Sequence, residues 1–183
     1  MKKAIFGGSF DPPHIGHLEI IQQTIISLNI DKLLVVPAFL NPFKTKSEAP
    51  SHLRLKWLKE MTKNMPKVEV SSFEIDLNRP VPSIETVKHF QDNDETYFII
   101  GADNLEKLPL WNSFVELDNL VTWVVATRDK IEIPKEYICL DINQDISATQ
   151  LRESINHAFL DPSVAQEIID FYQSGDKNHN AKF

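Results

Sequence analysis

The sequence predicts an α/β fold, a doubly wound parallel sheet with helices on both faces. Two observations carry this prediction. Short, mostly apolar segments rich in Val, Ile and aromatic residues recur along the chain, as expected of strands buried on both faces of a sheet. Between these segments, apolar residues repeat at spacings of three and four, which is typical of helices with one buried face. Alternation of the two patterns favours parallel strands with helical crossovers, a Rossmann-like arrangement.

The elements follow each other in the order that such a sheet requires. The first predicted strand lies almost at the start of the chain and leads into a glycine-rich stretch. Ligands bind outside the carboxyl ends of the strands in sheets of this kind, so each strand end is a candidate site. The predicted strands are residues 4–6, 33–36, 68–75, 96–100, 120–126 and 137–140, and the helical periods cover residues 18–28, 55–65, 151–158 and 164–171.

Composition narrows the class of protein. The chain has 183 residues, 42% of them hydrophobic and 25% charged, which fits one globular domain with a sizeable core. We expect this domain to span residues 1–174, with a polar tail at residues 175–183. A net charge of −7 argues against a general nucleic-acid or membrane-binding surface. No apolar run approaches a membrane span, and the lone Cys139 fits a reducing compartment, so the cytoplasm is the expected location.

The stretch GGSFDPPHIGH, residues 7–17, joins the first predicted strand to the first helix. It therefore lies at the carboxyl edge of the sheet. Adjacent Gly7 and Gly8 permit close approach of the backbone to an anion, and the amides of the following helix favour negative charge. His14 and His17 are three residues apart at a helix start, so they project from about the same side. The stretch predicts a phosphate site with two imidazoles directed into it.

Other interpretations of this stretch fit less well. A Walker P-loop ends in Gly-Lys-Ser/Thr, which the sequence lacks, and adjacent glycines do not supply the G-x-G-x-x-G fingerprint of dinucleotide-binding proteins. A zinc site on His14 and His17 would lack further ligands at familiar spacing. The plainest alternative is a glycine-proline turn that caps a helix, with both histidines near the surface.

A second candidate phosphate-binding segment is ISATQLR, residues 146–152. Ser147 and Gln150 have the spacing of a capping box, in which each side chain satisfies an amide at the helix start. Arg152 lies one turn into the helix, where its guanidinium can bind two phosphate oxygens beside those amides. As structure alone, the segment would be a capped surface helix with a solvated arginine.

Three segments together resemble the nucleotidylyltransferase superfamily. Residues 7–17 are similar to its signature, with the H-x-G-H core at residues 14–17, and residues 146–152 are similar to its late phosphate-binding motif. A third segment, FIIGADNLEKLPLW, residues 98–111, resembles one branch, the bacterial nicotinate-nucleotide adenylyltransferases. The resemblance implies adenylyl transfer from ATP to nicotinate mononucleotide, which gives nicotinate adenine dinucleotide and pyrophosphate in a late step of NAD biosynthesis.

The resemblance also implies which residues act on ATP. His14 and His17 would bind its phosphates and the charge that develops during in-line attack, and Arg152 would hold the pyrophosphate side with the helix start at Ser147. These three side chains are the expected catalytic residues. No protein base is needed, because the attacking phosphate is already an anion. The implied ATP-binding residues are Gly8, Ser9, Phe10, His14, His17, Gly101, Asp103, Ile146, Ser147, Thr149 and Arg152.

A second group of residues is implied in binding the acceptor. Trp111 matches a tryptophan that stacks on the pyridine ring, although simple packing is an alternative. Lys44 matches a lysine that contacts the substrate phosphate, with a solvated loop lysine as the alternative. Asp103 is implied in nucleotide contact and also has the spacing of a helix N-cap. Ser83 matches a threonine at the nicotinate end, where the backbone amides of Ser83 and Ile84, and others near Trp111, would bind the nicotinate carboxylate.

The implied cofactor is Mg²⁺, carried on substrate phosphates rather than in a protein cage. No residue is expected as a metal ligand, beyond a water-mediated contact open to Asp11. ATP and nicotinate mononucleotide are the expected partners, without nucleic-acid polymer or membrane, and a homo-oligomer is compatible with the sequence. Two other functions stay open: a sister enzyme with another acceptor, such as a pantetheine-phosphate adenylyltransferase or a cytidylyltransferase, and a non-catalytic nucleotide-binding domain. Residues 101–111 argue against the first, and His14, His17 and Arg152 together argue against the second.

Overall fold

A parallel sheet forms the centre of the protein. The computed structural model describes residues 1–92, 95–128, 131–144 and 146–174. Within these ranges the strands are β1 (Lys3–Gly8), β2 (Lys32–Pro37), β3 (Val68–Val70), β4 (Thr96–Gly101), β5 (Thr122–Ala126) and β6 (Ile138–Leu140). They lie in the order β3-β2-β1-β4-β5-β6, and every neighbouring pair is parallel. The chain thus begins with the central strand β1, continues outward through β2 and β3, and then forms β4, β5 and β6 on the other side of β1. The predicted fold class is confirmed.

Helices cover both faces of the sheet. They are α1 (Ile15–Ser27), α2 (Ser51–Thr62), α3 (Phe73–Asp76), α4 (Ser83–Phe90), α5 (Phe114–Leu120), α6 (Ala148–Glu153) and α7 (Ala165–Gln173), with 3-10 segments at Ala102–Leu110 and His157–Phe159. In the described ranges, no helix combines the length and the apolar character needed to cross a membrane.

Alternation along β1 shows why the strands are apolar throughout. Ala4 and Phe6 point into a core shared with Ile21 of α1, while Ile5 points into a second core shared with Val87 of α4. A strand covered on both faces needs apolar residues at successive positions, as the sequence pattern predicted. A third apolar cluster packs α6 and α7 against α2 and brings the end of the described chain back to the sheet edge.

The register of β1 creates the opening in the sheet. β1 pairs with β2 as far as Gly8, but its pairing with β4 ends at Phe6 and Ile99. The carboxyl ends of β1 and β4 therefore separate at the point where the strand order reverses. A crevice at such a switch point is where doubly wound sheets bind ligands.

Several predicted boundaries differ from the structure. The strand predicted at residues 68–75 ends at Val70, because the chain turns there and forms α3. Residue 120 belongs to α5 rather than β5, and the helical period at residues 151–158 ends at Glu153. No helical period predicted α4 or α5, since helices this short bury few residues. The predicted tail, residues 175–183, lies outside the described residues, and the single-domain boundary stays a prediction.

Candidate active site

A cleft of about 420 Å³ opens at the carboxyl edge, between the separated ends of β1 and β4. It brings together residues from the start, the middle and the end of the chain. Ile84 is the predicted residue that does not line it, because its side chain is buried in the core under α4. The predicted residues that do line it are Gly8, Ser9, Phe10, His14, His17, Lys44, Ser83, Gly101, Asp103, Trp111, Ile146, Ser147, Thr149 and Arg152.

His14 and His17 form a stacked pair at the start of α1. Their ring centroids are 3.7 Å apart and the ring planes differ by 29°, so the prediction that they project from one side is confirmed. The backbone N–H of His14 donates to Nδ1 of His17 at 3.2 Å. Since Nδ1 is an acceptor, the proton of neutral His17 lies on Nε2, which leaves that atom free to donate to a ligand.

Both imidazoles are neutral at pH 7 in this arrangement. Burial, reinforced by the charge of Arg128, lowers the pKa of His14 to about 3. Burial also holds the pKa of His17 well below its ordinary value, with further contributions from His14 and Arg128. Among the described residues, nothing hydrogen-bonds the buried Nδ1 of His14. A buried polar atom without a partner is costly unless a ligand or water satisfies it.

Small and apolar neighbours hold this pair in place. A Cβ atom at Gly16 would lie 3.0 Å from Nδ1 of His14, so the glycine makes room for the ring. Phe10 has a left-handed backbone, with φ 49°, and its ring packs edge-on against His17 at 4.9 Å and against Phe6 at 5.3 Å. Phe10 is almost fully buried, so its side chain supports His17 and only its backbone is available to a nucleotide.

Asp11 has a structural role. Its carboxylate accepts hydrogen bonds from the backbone N–H of Glu48 at 2.7 Å, from that of Ala49 at 2.9 Å and from the hydroxyl of Tyr172. The carboxylate is buried and does not line the cleft. The expected water-mediated contact between Asp11 and a metal therefore finds no support in the structure.

The late motif contacts the first one directly. Ser147 Oγ accepts from the backbone N–H of Gln150 at 3.1 Å, and the Gln150 side chain accepts from the N–H of Ser147 at 3.0 Å, which confirms the capping box. The guanidinium of Arg152 donates to the backbone carbonyl of Asp11 and, at 3.1 Å, to Thr149 Oγ1. Two segments at opposite ends of the chain thus form one wall of the cleft.

Two more cations reach the cleft. Lys44 Nζ donates to Ser9 Oγ at 3.3 Å, and partial burial together with the charge of Arg152 lowers the pKa of Lys44. Arg128 follows β5 and donates to the backbone carbonyl of Ile146 at 3.3 Å. The sequence analysis missed Arg128, although its position after a predicted strand was a usable signal.

Asp103 is not an N-cap. The 3-10 segment after β4 is capped at Gly101 without a side-chain hydrogen bond, so this structural alternative is wrong. The carboxylate of Asp103 instead lies 3.5 Å from Nη1 of Arg128. A Cβ atom at Gly101 would come within 2.5 Å of Asp103 Oδ1 unless the carboxylate turned away.

At the opposite end of the cleft, Trp111 packs edge-on against Phe98 and Trp123, with ring centroids 6.3 and 6.2 Å apart. It is half-buried and also lines the cleft, so it packs against the core and is open to a ligand. Ser83 is the first residue of α4, whose N-terminus carries no side-chain cap. The first amides of an uncapped helix are free to bind an anion.

Two residues that the sequence analysis missed complete the site. Glu74 of α3 is buried yet lines the cleft, and Oε1 of Glu74 accepts a hydrogen bond of 2.5 Å from Thr86 Oγ1. Arg54 of α2 is fully buried beneath the loops that form the cleft. Its guanidinium donates to the backbone carbonyls of Ser9, Ala38, Phe39 and Ala49.

Within the described ranges, no group of three or more His, Cys, Asp or Glu side chains is arranged so that it could hold a metal ion. The cationic side chains that line the cleft in the described part of the chain, Lys44, Arg128 and Arg152, suit phosphate groups.

Comparison with known proteins identifies relatives along nearly the whole chain. The cytidylyltransferase-like family model matches residues 5–154. A protein of Sulfurimonas denitrificans named probable nicotinate-nucleotide adenylyltransferase is 55% identical over 171 residues, which cover 93% of this chain and 94% of the relative. One with the same name from Campylobacter fetus is 46% identical over 94% of this chain and 97% of its own. The fold matches Plasmodium falciparum nicotinic acid mononucleotide adenylyltransferase complexed with NaAD, with a TM-score of 0.76 and 20% identity over 98% of both chains.

Proposed function

The chain belongs to the cytidylyltransferase-like family and, within it, to the nicotinate-nucleotide adenylyltransferases, and we propose that its cleft transfers the adenylyl group of ATP to nicotinate mononucleotide. The products are nicotinate adenine dinucleotide and pyrophosphate. One observation above all supports this reaction. The hydrogen bond from Arg152 to the carbonyl of Asp11 joins both phosphate motifs in one anion-binding wall, while Trp111 offers an aromatic face at the other end of the cleft.

The reaction is an in-line displacement at the α-phosphorus of ATP. A phosphate oxygen of the mononucleotide forms the new bond to phosphorus, and the bond to the bridging oxygen of pyrophosphate breaks. The attacking phosphate has a second pKa near about 6, so it is an anion at neutral pH and needs no protein base. The protein acts by positioning the two phosphates and stabilising the charge between them.

His14, His17 and Arg152 are the proposed catalytic residues. Nε2–H of His17 is the donor left free by the bond between His14 N–H and Nδ1. It would donate to the phosphate on which charge develops, with His14 stacked beside it. Arg152 and the amides at the start of α6 would hold the departing pyrophosphate, and Lys44 and Arg128 would add positive charge on either side. Gly8, Ser9, Phe10, Gly101, Asp103, Ile146, Ser147 and Thr149 are proposed to contact ATP.

The acceptor would bind between the N-terminus of α4 and the ring face of Trp111. The free amides of Ser83 and Ile84 would bind the nicotinate carboxylate, and Ile84 contributes its backbone alone because its side chain is in the core. Trp111 would stack on the pyridine ring. Lys44, beside Ser9, would contact the phosphate of the mononucleotide, and Asp103 would bind close to the junction of the two nucleotides.

A divalent cation, which enzymes of this kind generally use, would enter with ATP. We propose Mg²⁺ bound to the phosphate oxygens as part of the substrate. Cys139 is exposed and free, which supports the cytoplasm as the compartment.

Pyrophosphate release tests the proposed function. The purified protein would be given MgATP with nicotinate mononucleotide, nicotinamide mononucleotide or 4′-phosphopantetheine, and the first acceptor also with MgCTP. We expect the highest kcat/KM for MgATP with nicotinate mononucleotide. Faster release with phosphopantetheine or with CTP would assign the cleft to a sister enzyme, and release with none of them would indicate a non-catalytic nucleotide-binding protein.

A further inference from the structure

A buried acid lies at the acceptor end of the cleft and has no part in the reaction described above. Glu74 lines the cleft together with Pro82 and Ser83, although only 6% of its surface is exposed. Its carboxyl group accepts a hydrogen bond from Thr86, which lies one turn after Ser83 on α4 and is itself buried. Glu74 is thus connected to the helix turn that carries the free amides.

Burial makes the charge of this acid variable near neutral pH. A carboxylate that is removed from water without a cation beside it favours its protonated form. Burial raises the pKa of Glu74 to about 7, and the charge of Glu85 adds to this effect, whereas the hydrogen bond from Thr86 opposes it.

The other titratable groups around Glu74 have partners of their own. On α3 and α4, and on the cleft side, the pairs are Asp76 with Ser72, Glu85 with Arg79, Lys88 with Glu116, His89 with Phe73, Lys44 with Ser9 and Asp103 with Arg128. Within the described part of the chain, none of these cations forms an ion pair with Glu74.

Nicotinate brings a second carboxylate to the same helix turn. This step rests on the proposed function, in which the amides of Ser83 and Ile84 bind that carboxylate. Two carboxylates at one site repel each other, so one of them takes up a proton. The nicotinate group is bound by amides that favour its charged form, so Glu74 is the group that becomes neutral. A carboxamide in the same position would exert no such repulsion.

We propose that Glu74 is a specificity-determining residue that takes up a proton when a nicotinate-bearing ligand enters the cleft, so that preference for the carboxylate over the carboxamide weakens as pH rises. Below pH 7 the acid is already protonated and carboxylate and carboxamide are distinguished by the helix amides alone. Above pH 7 the protein must bind a proton to accept nicotinate, which lowers its apparent affinity by up to about tenfold per pH unit.

Calorimetry on the wild-type protein measures this proton directly. Nicotinate adenine dinucleotide and NAD would each be titrated at pH 7.5 in two buffers of different ionisation enthalpy. Their phosphodiesters do not titrate near neutral pH, and any uptake by His14 or His17 is common to both ligands. We expect the protein to take up more than about half a proton more when it binds nicotinate adenine dinucleotide than when it binds NAD. Equal uptake would overturn the inference, and failure of both dinucleotides to bind would count against the proposed function itself.

The pH dependence of kcat/KM in variants tests whether Glu74 is the group that takes up the proton. The ratio of kcat/KM for nicotinate mononucleotide to that for nicotinamide mononucleotide cancels the titration of ATP and of the acceptor phosphate. Between pH 6.5 and 8.5 we expect this ratio to fall by about tenfold or more in the wild type and to stay level in Glu74→Gln. His89→Gln, which removes a neighbouring imidazole that stacks on Phe73, is the matched control and should behave as the wild type.

Substitution of Thr86 should shift the pH at which the kcat/KM ratio declines rather than abolish the decline. The hydrogen bond from Thr86 favours the charged form of Glu74, so Thr86→Val should move the decline to higher pH, whereas Thr86→Ser should leave it in place. A ratio that is independent of pH in the wild type, or that falls equally in Glu74→Gln, would overturn the inference while leaving the proposed function intact. Absence of transfer to either mononucleotide would overturn the proposed function instead.

Discussion

The guanidinium of Arg152 donates a hydrogen bond to the backbone carbonyl of Asp11, 141 residues earlier in the chain. The carboxylate of Asp11 is held in turn by Tyr172 of α7 and by the backbone N–H groups of Glu48 and Ala49. The loop after β1 is therefore fixed from three sides before any ligand arrives. Such fixed donors stabilise a transition state without reorganising at the moment of reaction.

Arg152→Lys should lower kcat/KM by about tenfold or more, because an ammonium group cannot bind the carbonyl of Asp11 and a phosphate with the planar geometry of guanidinium. Steady-state kinetics with saturating MgATP would measure this. Lys56→Arg changes an exposed cation that pairs with Glu167 outside the cleft and serves as control. An unchanged kcat/KM in Arg152→Lys would show that the arginine supplies charge alone.

His17→Ala should reduce kcat by about 100- to 1,000-fold, the usual effect of removing one donor from a developing charge. The fold should persist, as checked by circular dichroism and thermal unfolding. His52→Ala, on an exposed position of α2, is the control for loss of an imidazole. A folded His17→Ala protein that keeps more than about a tenth of the wild-type kcat would remove His17 from the catalytic group.

Gly16→Ala should lower activity with little change in stability. The new Cβ would lie 3.0 Å from Nδ1 of His14 and 3.1 Å from its Cε1, so the ring must move and kcat should fall by about tenfold. Alanine is favoured over glycine within a helix by up to about 1 kcal/mol, which offsets the cost of moving the ring. Urea unfolding should therefore show little loss of stability. Gln22→Ala on the exposed face of α1 should alter neither quantity, and a loss of stability without loss of activity in Gly16→Ala would contradict this account.

Arg54→Leu should lower the free energy of unfolding by about 3 kcal/mol, because the buried carbonyls of Ala38 and Ala49 and the partly buried carbonyls of Ser9 and Phe39 would lose their donor. Urea denaturation measures the change. Arg54→Lys retains the charge but cannot reach all of these acceptors. Its free energy of unfolding should therefore lie between those of Arg54→Leu and the wild type. Equal stability of all three proteins would show that water replaces the guanidinium.

The sequence predicted the residues whose local pattern has a physical cause, and it missed those whose role depends on tertiary contact. Short apolar segments rich in Val, Ile and aromatic residues predicted the strands, and the Ser147–Gln150 spacing predicted the helix cap. Arg54 stands between Leu53 and Leu55 with no local sign that its charge is buried. Glu74 was hidden within a segment predicted as strand, because nothing in the alternation of residues 68–75 indicates the turn after Val70.

The amide of Ser83 should decide the preference for nicotinate. At pH 6.5 we expect kcat/KM for nicotinate mononucleotide to exceed that for nicotinamide mononucleotide by at least about 100-fold. The carboxylate of nicotinate gains charge-assisted hydrogen bonds that a carboxamide does not. Proline at the first helical position keeps the helix but removes its N–H, and the preceding Pro82 already has the extended backbone, φ −65° and ψ 143°, that a following proline requires. Ser83→Pro should therefore lower kcat/KM for nicotinate mononucleotide by about tenfold and leave that for nicotinamide mononucleotide nearly unchanged.

Ser83→Ala retains the N–H and is the matched control. If Ser83→Ala loses as much preference as Ser83→Pro, the hydroxyl rather than the backbone amide recognises the carboxylate.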